Sequence, residues 1–324
     1  MSSPLHSALT SALGPTHPAL LNSVIPTLLQ SINSIANTLR TAHNVSHAGS
    51  SNAFGDDQLN VDVLAEDHIR TFLSTCPAVV TASSEEDPIE RPVHKSKSTG
   101  DEGEDVYTVA FDPLDGSSII APNWTVGTII GIWTGKTALG QNPENQVASV
   151  IGVYGPRTTA LIALRIPGRE EDAVCIEVGI QGDEIEIIRP RVRLDEQPKH
   201  KYFAPANLRA ASEDPRYMAL ITEFISQRYT LRYSGGLVPD VVHALVKGHG
   251  VYISPVTAGS KAKLRRLFEL YPIALLLECA GGKAVDPVDG HRILERVLED
   301  LNETAGLVCG TADEVERVRG ALVG

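Results

Sequence analysis

The sequence predicts an α/β protein of about two domains. Three observations lead there. A chain of 324 residues with 42% hydrophobic content is long enough for a large core. A strand-rich block with turn residues between its segments occupies the middle of the chain. The last third then alternates helical stretches with short strands, the pattern of a layered α/β unit.

Taken in order, residues 20–40 (LLNSVIPTLLQSINSIANTLR) repeat apolar residues at helical spacing and predict an amphipathic helix interrupted near Pro26. HNVSHAGSSNAFGDDQ is a polar, Gly/Ser-rich loop, and LNVDVLAEDHIRTFLSTC is a helix. AVVTASSEE predicts a short strand ending in two acids, and DPIERPVHKSKSTGDEGED, charged and aperiodic, an excursion with solvated acids. Strands follow at VYTVAFD, TVGTIIGIW, VASVIGVYG and TALIALRI. A basic, polar stretch from Pro190 to Tyr202 marks the boundary, giving an N-terminal part, 1–197, and a C-terminal part, 198–324. In the latter, DPRYMALITEFISQR, PDVVHALVKG and KAKLRRLFEL read as helices.

Composition excludes several classes. A formal charge of −12 argues against a general nucleic-acid binder, because no basic stripe is present to neutralise phosphates. No apolar run approaches the ~20 residues of a membrane helix. Cys76, Cys175, Cys279 and Cys309 form no CxxC pair, which speaks against zinc and fits a reducing compartment. The N-terminus lacks the basic start and apolar core of a secretory signal, so the expectation is a cytoplasmic protein.

The chemistry concentrates in YTVAFDPLDGSSII, where an apolar run stops at Asp112 and a second acid, Asp115, follows across Pro113. Burying one unpartnered carboxylate costs several kcal/mol, roughly, so two together call for cations. Pro113 predicts a turn built around the two acids rather than a continuing strand. Gly116 permits close backbone approach, and Ser117 and Ser118 are placed to open a helix whose N–H groups face an anion. Acids also mark element ends at Asp56 with Asp62, at Glu85 with Glu86, and at Glu269. Singly, each has a plainer reading: a helix cap for Asp62 or Asp115, a solvated turn for Glu85 and Glu86, a surface ion pair for Glu269. With no His or Cys among them, the set points to magnesium or manganese over a phosphate ester.

From Asn52 to about Asp286 the chain resembles the fructose-1,6-bisphosphatase and sedoheptulose-1,7-bisphosphatase superfamily of metal-dependent, lithium-sensitive phosphatases. The motifs GDDQLNVDVLA, SSEE, FDPLDGSS, LRYSGG and KAKLRRLFELYP…ECAGG stand in that family's order. TVGTIIGIW, GVYGPRTT, FAPANLRAA and LRYSGGLVPDV are similar to the sedoheptulose branch. The resemblance implies a layered αβαβα sandwich of the sugar-bisphosphatase type, with two subdomains and the site in the cleft between them. It implies two or three Mg²⁺ ions (Mn²⁺ as the substitute) held by Glu85, Asp112, Asp115, Glu269 and the Leu114 carbonyl, with Asp56 serving a looser ion. Asp62 and Glu86 match the pair that orients and deprotonates the attacking water. The Gly116, Ser117 and Ser118 backbone matches the cradle of the scissile phosphate, and Asn207, Arg232, Tyr233 and Lys263 match the grip on the sugar and its second phosphate. The arginine matching Arg232 reaches across from a neighbouring subunit in the family, which implies a homo-oligomer, dimer or tetramer.

The implied reaction is hydrolysis of the C1 phosphate of sedoheptulose-1,7-bisphosphate by metal-activated water. Fructose-1,6-bisphosphatase or dual activity is the alternative; another phosphorylated metabolite or a non-catalytic member stands behind it. Neither nucleic acid nor membrane is an implied partner. Ala121 stands where the family usually has an acid, and Ala210 and Ser254 stand where fructose bisphosphatases have tyrosines. No suitable cysteine pair for redox regulation is visible.

Overall fold

A computed structural model describes residues 3–14, 16–51, 57–94, 105–195 and 198–324. The first part opens with helix α1 (Ser3–Leu13) and α2 (Ile25–Thr41), joined through a π-helical turn at Leu20–Val24. The stretch is helical throughout, and the expected interruption takes the form of a change from π to α hydrogen bonding at Ile25, beside Pro26, whose missing N–H an unbroken α-helix would need. The expected polar loop contains a strand pair, β1 (His47–Ser51) with β2 (Asp57–Leu59), before α3 (Asn60–Leu73).

Strands β3 (Val79–Ser84) and β4 (Arg91–Pro92) follow, then β5 (Tyr107–Asp115), the four-residue helix α4 (Ser117–Ile120), and β6 (Val126–Thr134). β7 (Gln146–Tyr154), β8 (Thr158–Leu164), β9 (Val174–Gln181) and β10 (Glu184–Arg189) complete an antiparallel meander. Among the described residues, the sheet order is β10-β9-β8-β7-β6-β5-β3-β4, with only β3 and β5 parallel. The charged excursion after β3 begins as structure. Asp87 pairs with Arg91, and Glu90 accepts from the Ala138 amide at 2.6 Å and the Thr137 hydroxyl at 2.5 Å. Its central part, 95–104, lies outside the described residues.

The C-terminal part contains β11 (Tyr202–Pro205), α5 (Pro215–Ser226), β12 (Thr230–Leu231), α6 (Leu237–Lys247), β13 (Val251–Ser254) and β14 (Leu264–Arg265). It ends with α7 (Tyr271–Cys279), β15 (Lys283–Val285), β16 (Thr304–Ala305), β17 (Leu307–Gly310) and α8 (Ala312–Leu322). The second sheet runs β12-β11-β13-β17-β15.

Period-two alternation divides these strands between layers. Val109, Phe111, Ile130, Ile132, Val150 and Ile162 face α1, α2 and α3 in one core. Ala110, Ile129, Ile151 and Leu161 face the opposite way, onto α6 and α7. Tyr252, Ala284, Leu307 and Cys309 of the second sheet close that same core from the other side. Their neighbours Val251, Ile253, Val285 and Val308 pack on α5 and α8. The result is five layers, αβαβα, with α6 and α7 buried between two sheets. α7 is correspondingly apolar except at Glu278, which pairs with Arg165 and Arg292.

Candidate active site

The residues of the acid cluster come from three elements. β5 does not stop at Asp112. It continues through Pro113 to Asp115, and the pairing with β6 shifts between Asp112↔Ile129 and Asp115↔Gly127. The expected turn is thus a β-bulge inside a strand, one of the few places where a sheet tolerates proline. The parallel neighbour β3 pairs with β5 only as far as Phe111, so Pro113 removes no ladder donor on that side. The Leu114 amide donates to Asp112 Oδ1 at 2.9 Å, and the Thr128 hydroxyl donates to the Pro113 carbonyl at 2.7 Å. The bulge is therefore fixed from both flanks, and Leu114 lies in it, buried.

Glu269 arrives from the other part of the chain. KAKLRRLFEL is not a surface helix: Leu264–Arg265 is strand, and Arg266–Leu270 is a π-helical turn running into α7. That turn buries Glu269, whose carboxylate accepts a hydrogen bond from the Arg265 amide. Oxygens of Asp112, Asp115 and Glu269 lie within 4.8 Å of one another. Glu85, at the end of β3, holds its backbone on the Phe111 carbonyl at 3.0 Å, and its charge acts on both Asp112 and Glu269. Burial first, then repulsion from Glu85, Glu269 and Asp115, pushes Asp112 well above the usual carboxylate range. Burial followed by the charge of Glu85 does the same to Glu269. Asp115 is pushed up to about 6, again mainly by burial. The Arg265 guanidinium approaches Glu85 at 3.7 Å.

Such a set fits a hard divalent cation. Its donors are carboxylate oxygens, they converge, and their mutual repulsion is relieved only by positive charge between them or by protons. Among the described residues no His or Cys joins the group.

Asp115 does a second job. Its Oδ1 accepts from the Leu237 amide at 3.1 Å and its Oδ2 from Val238 at 2.7 Å, so it caps α6 rather than the helix that follows it in sequence. The approach is close because Gly127, opposite Asp115, has no side chain: a Cβ there would meet Val238 at 2.4 Å. The first β-sheet and α6 thus meet at the acid cluster. Gly116 then takes φ 98°, a left-handed conformation suited to glycine, and turns the chain into the exposed Ser117 and Ser118.

Asp62 sits in the first turn of α3 and caps it, accepting from the Leu59 amide at 3.0 Å through Oδ2. Its other oxygen, Oδ1, is buried without a hydrogen-bond partner, and burial lifts the carboxyl to about 6. Glu86 is half-buried, and its charge acts on Glu66, one helical turn from Asp62 on the same face of α3. Asp56 lies outside the described residues.

Of the residues matched to the sugar, Tyr233 shares a neighbour with the cluster, since the charge of Asp240 acts on both Tyr233 and Asp115. Asn207 takes φ 51° and commits its amide nitrogen to the Pro255 carbonyl at 2.8 Å, tying down the 255–260 loop. Arg232 and Tyr233 are exposed beside β12, an edge strand, with Arg232 over the Tyr202 ring at 5.8 Å. Lys263 is exposed, just before β14. Ala121 ends α4 at the surface, Ala210 is fully buried, and Ser254 is half-buried.

Three residues of the neighbourhood escaped the sequence reading. Arg265 faces Glu85; Asp240 accepts from the Ser234 amide at 2.7 Å and shapes the YSGG turn; Glu66 accepts from the Ser84 hydroxyl at 2.9 Å beneath the Glu85–Glu86 turn. Helical spacing from Asp62 to Glu66 was the one available signal.

Known proteins share this architecture. Models of the fructose-1-6-bisphosphatase N-terminal and C-terminal domains match residues 10–173 and 196–322. A chloroplastic sedoheptulose-1,7-bisphosphatase of Triticum aestivum is 38% identical over 274 residues, covering 84% of this chain and 66% of that protein. The chain therefore spans about two thirds of the length of that relative. A class 1 fructose-1,6-bisphosphatase of Syntrophotalea carbinolica is 36% identical over 288 residues, covering 86% of this chain and 82% of that protein. A crystal structure from Toxoplasma gondii, proposed as a sedoheptulose-1,7 bisphosphatase, has a TM-score of 0.86 at 36% identity and covers 98% of both chains.

Proposed function

Because the chain belongs to the fructose-1,6-bisphosphatase family, whose members are sugar bisphosphatases and hence phosphoric monoester hydrolases, we propose that it hydrolyses the C1 phosphate of sedoheptulose-1,7-bisphosphate with magnesium. The observation that carries the reading is the convergence of Asp112, Asp115 and Glu269, buried and held above their ordinary pKa, at the junction of the first sheet and α6. The seven-carbon substrate is supported by the named activity of the Triticum relative and by the sedoheptulose-like wording of the motifs.

In this reading Glu85, Asp112, Asp115, Glu269 and the Leu114 carbonyl hold the metal, with Asp56 serving a looser ion. Bound magnesium supplies charge stabilisation to the phosphoryl group and the leaving oxygen. Asp62 and Glu86 orient the attacking water and take its proton; a carboxyl near 6 with one buried free oxygen suits a base working close to neutrality. The Gly116–Ser118 backbone holds the scissile phosphate. Asn207 offers its carbonyl oxygen to the sugar while its nitrogen holds the loop, and Tyr233 and Lys263 grip the distal end. Arg232, exposed at a sheet edge, acts on the phosphate of a neighbouring subunit in a homo-oligomer. A cytoplasmic location is supported by four cysteines that are all free. No described helix is long and apolar enough to cross a membrane.

The test is phosphate release from sedoheptulose-1,7-bisphosphate and fructose-1,6-bisphosphate side by side, with Mg²⁺ and with EDTA. The expected result is Mg²⁺-dependent release with kcat/KM favouring the seven-carbon sugar. Comparable rates would make the protein a dual bisphosphatase, and release unaffected by EDTA would overturn the metal assignment.

A further inference from the structure

A cavity of about 180 Å³ opens between the end of α2, the start of α3, α4 and the β7–β8 turn. Its lining combines apolar side chains, Leu39, Val61 and Ile120 among them, with the polar Asn123 and Thr158, and Trp124, 55% exposed, forms part of it. One cation stands at it. Arg40 donates to the Thr158 hydroxyl at 2.5 Å and to the Asn37 side-chain oxygen Oδ1 at 3.3 Å, both neutral, and makes no ion pair among the described residues.

Tyr154, also in the lining, joins the cavity to the strand that carries Asp112 and Asp115. Thr128 has one hydroxyl proton, which goes to the Pro113 carbonyl. In the 2.7 Å contact between Tyr154 and Thr128, the tyrosine is therefore the donor. Burial pushes the Tyr154 hydroxyl up, so it keeps its proton. A chain of two hydrogen bonds thus runs from the cavity wall to the bulge between Asp112 and Asp115. Ile120 and Val61 touch the same machinery from other sides: Ile120 closes the helix after Gly116, and Val61 precedes Asp62.

We propose that this cavity is an effector site for a small aromatic anion, whose occupancy lowers turnover by drawing the Tyr154 hydroxyl away from Thr128. The ring is recognised by the apolar side chains and the Trp124 indole, the anionic group by Arg40. An aromatic carboxylate competes for the Tyr154 proton because a charged acceptor is stronger than a hydroxyl. Thr128 then loses the partner that orients it on Pro113, and the bulge loosens.

The probe is 4-nitrobenzoate, whose nitroarene quenches indole fluorescence on contact. Saturable quenching is expected in the wild-type protein, absent from Trp124→Phe, in which the buried Trp133 is the remaining tryptophan. Arg40→Met should weaken binding about tenfold or more, the cost of a lost charged hydrogen bond, yet leave uncharged nitrobenzene unaffected. No saturable quench, undiminished quench in Trp124→Phe, or unchanged affinity in Arg40→Met would overturn the site. This arm needs no catalysis. The coupling arm rests on the proposed phosphatase activity: the probe should lower kcat in the wild type, and in Tyr154→Phe it should bind without doing so. Inhibition that persists unchanged in Arg40→Met would locate the probe at the acid cluster and overturn the proposal. If the unliganded wild type releases no phosphate, the activity reading fails while the quenching arm still decides the site.

Discussion

Asp112 is 4% exposed and faces the charges of Glu85, Glu269 and Asp115, so in the metal-free protein it is held in place against electrostatic preference. Asp112→Asn keeps the side-chain oxygen that accepts from the Leu114 amide and removes one of the repelling charges. Melting by calorimetry in EDTA should therefore show a Tm at least about 2 °C above wild type, while added Mg²⁺ no longer raises it. A lower Tm in EDTA would mean that repulsion is not what the cluster stores. The residue scale also shows what sequence can carry. The closeness of Asp112 and Asp115 across Pro113 was legible, and the structure brings both into one acid cluster. The form of the backbone was not, because a proline excludes a strand only where its missing N–H would be needed, and here β3 has already ended. The cap that Asp115 places on α6 spans 122 residues, and no local pattern reports it.

The π-helical turn at Arg266–Leu270 is the element that aims Glu269, and it is anchored by Arg266. That guanidinium, 3% exposed, meets Asp286 Oδ2 at 2.5 Å and Glu303 Oε1 at 2.9 Å, and the Arg266 amide donates to the Glu303 carbonyl at 2.9 Å. Removing Arg266 strands the buried Asp286, while Glu303 keeps Arg296 at 2.8 Å, so Arg266→Met should cost about 3–5 kcal/mol in denaturant unfolding. A loss under about 1 kcal/mol would show that water reaches Asp286 and Glu303 and that the anchor is weak. Arg-Arg followed by Leu-Phe-Glu-Leu reads as a charged surface helix because helical periodicity says nothing about burial. Only Asp286 and Glu303, brought in from beyond α7, turn Arg266 inward. The meander from β5 to β8 and the helices α3, α5 and α6 were legible for the opposite reason, since their pairing and amphipathic spacing are local.

At the scale of the molecule, several acids share one bias. Asp62, Asp115 and Asp240 are each lifted to about 6, and Asp112 and Glu269 are also pushed upward, in every case mainly by burial. A carboxyl whose folded pKa exceeds its unfolded one binds more protons folded than unfolded. Its contribution to stability is fully present below the unfolded value, near 3.8, and is lost as pH rises through the folded value. Two histidines oppose this. Burial lowers His17 and His243, so they favour the folded state as pH rises towards the ordinary histidine value of 6.5. With Glu66, also raised mainly by burial, six acids outweigh two histidines, and the metal-free protein should melt at a lower temperature at pH 7.5 than at pH 5.5. Magnesium occupying the cluster replaces the protons, so the Tm increase on adding Mg²⁺ should be larger at pH 7.5, where the acids are ionised and repel. Calorimetry at the two pH values, with EDTA and with Mg²⁺, reads all four corners of this cycle. An Mg²⁺ effect equal at both pH values would place the ion away from the buried acids. A metal-free Tm that rises with pH would show that the acids are hydrated in solution and that the cleft between the first sheet and α6 opens when no cation holds it.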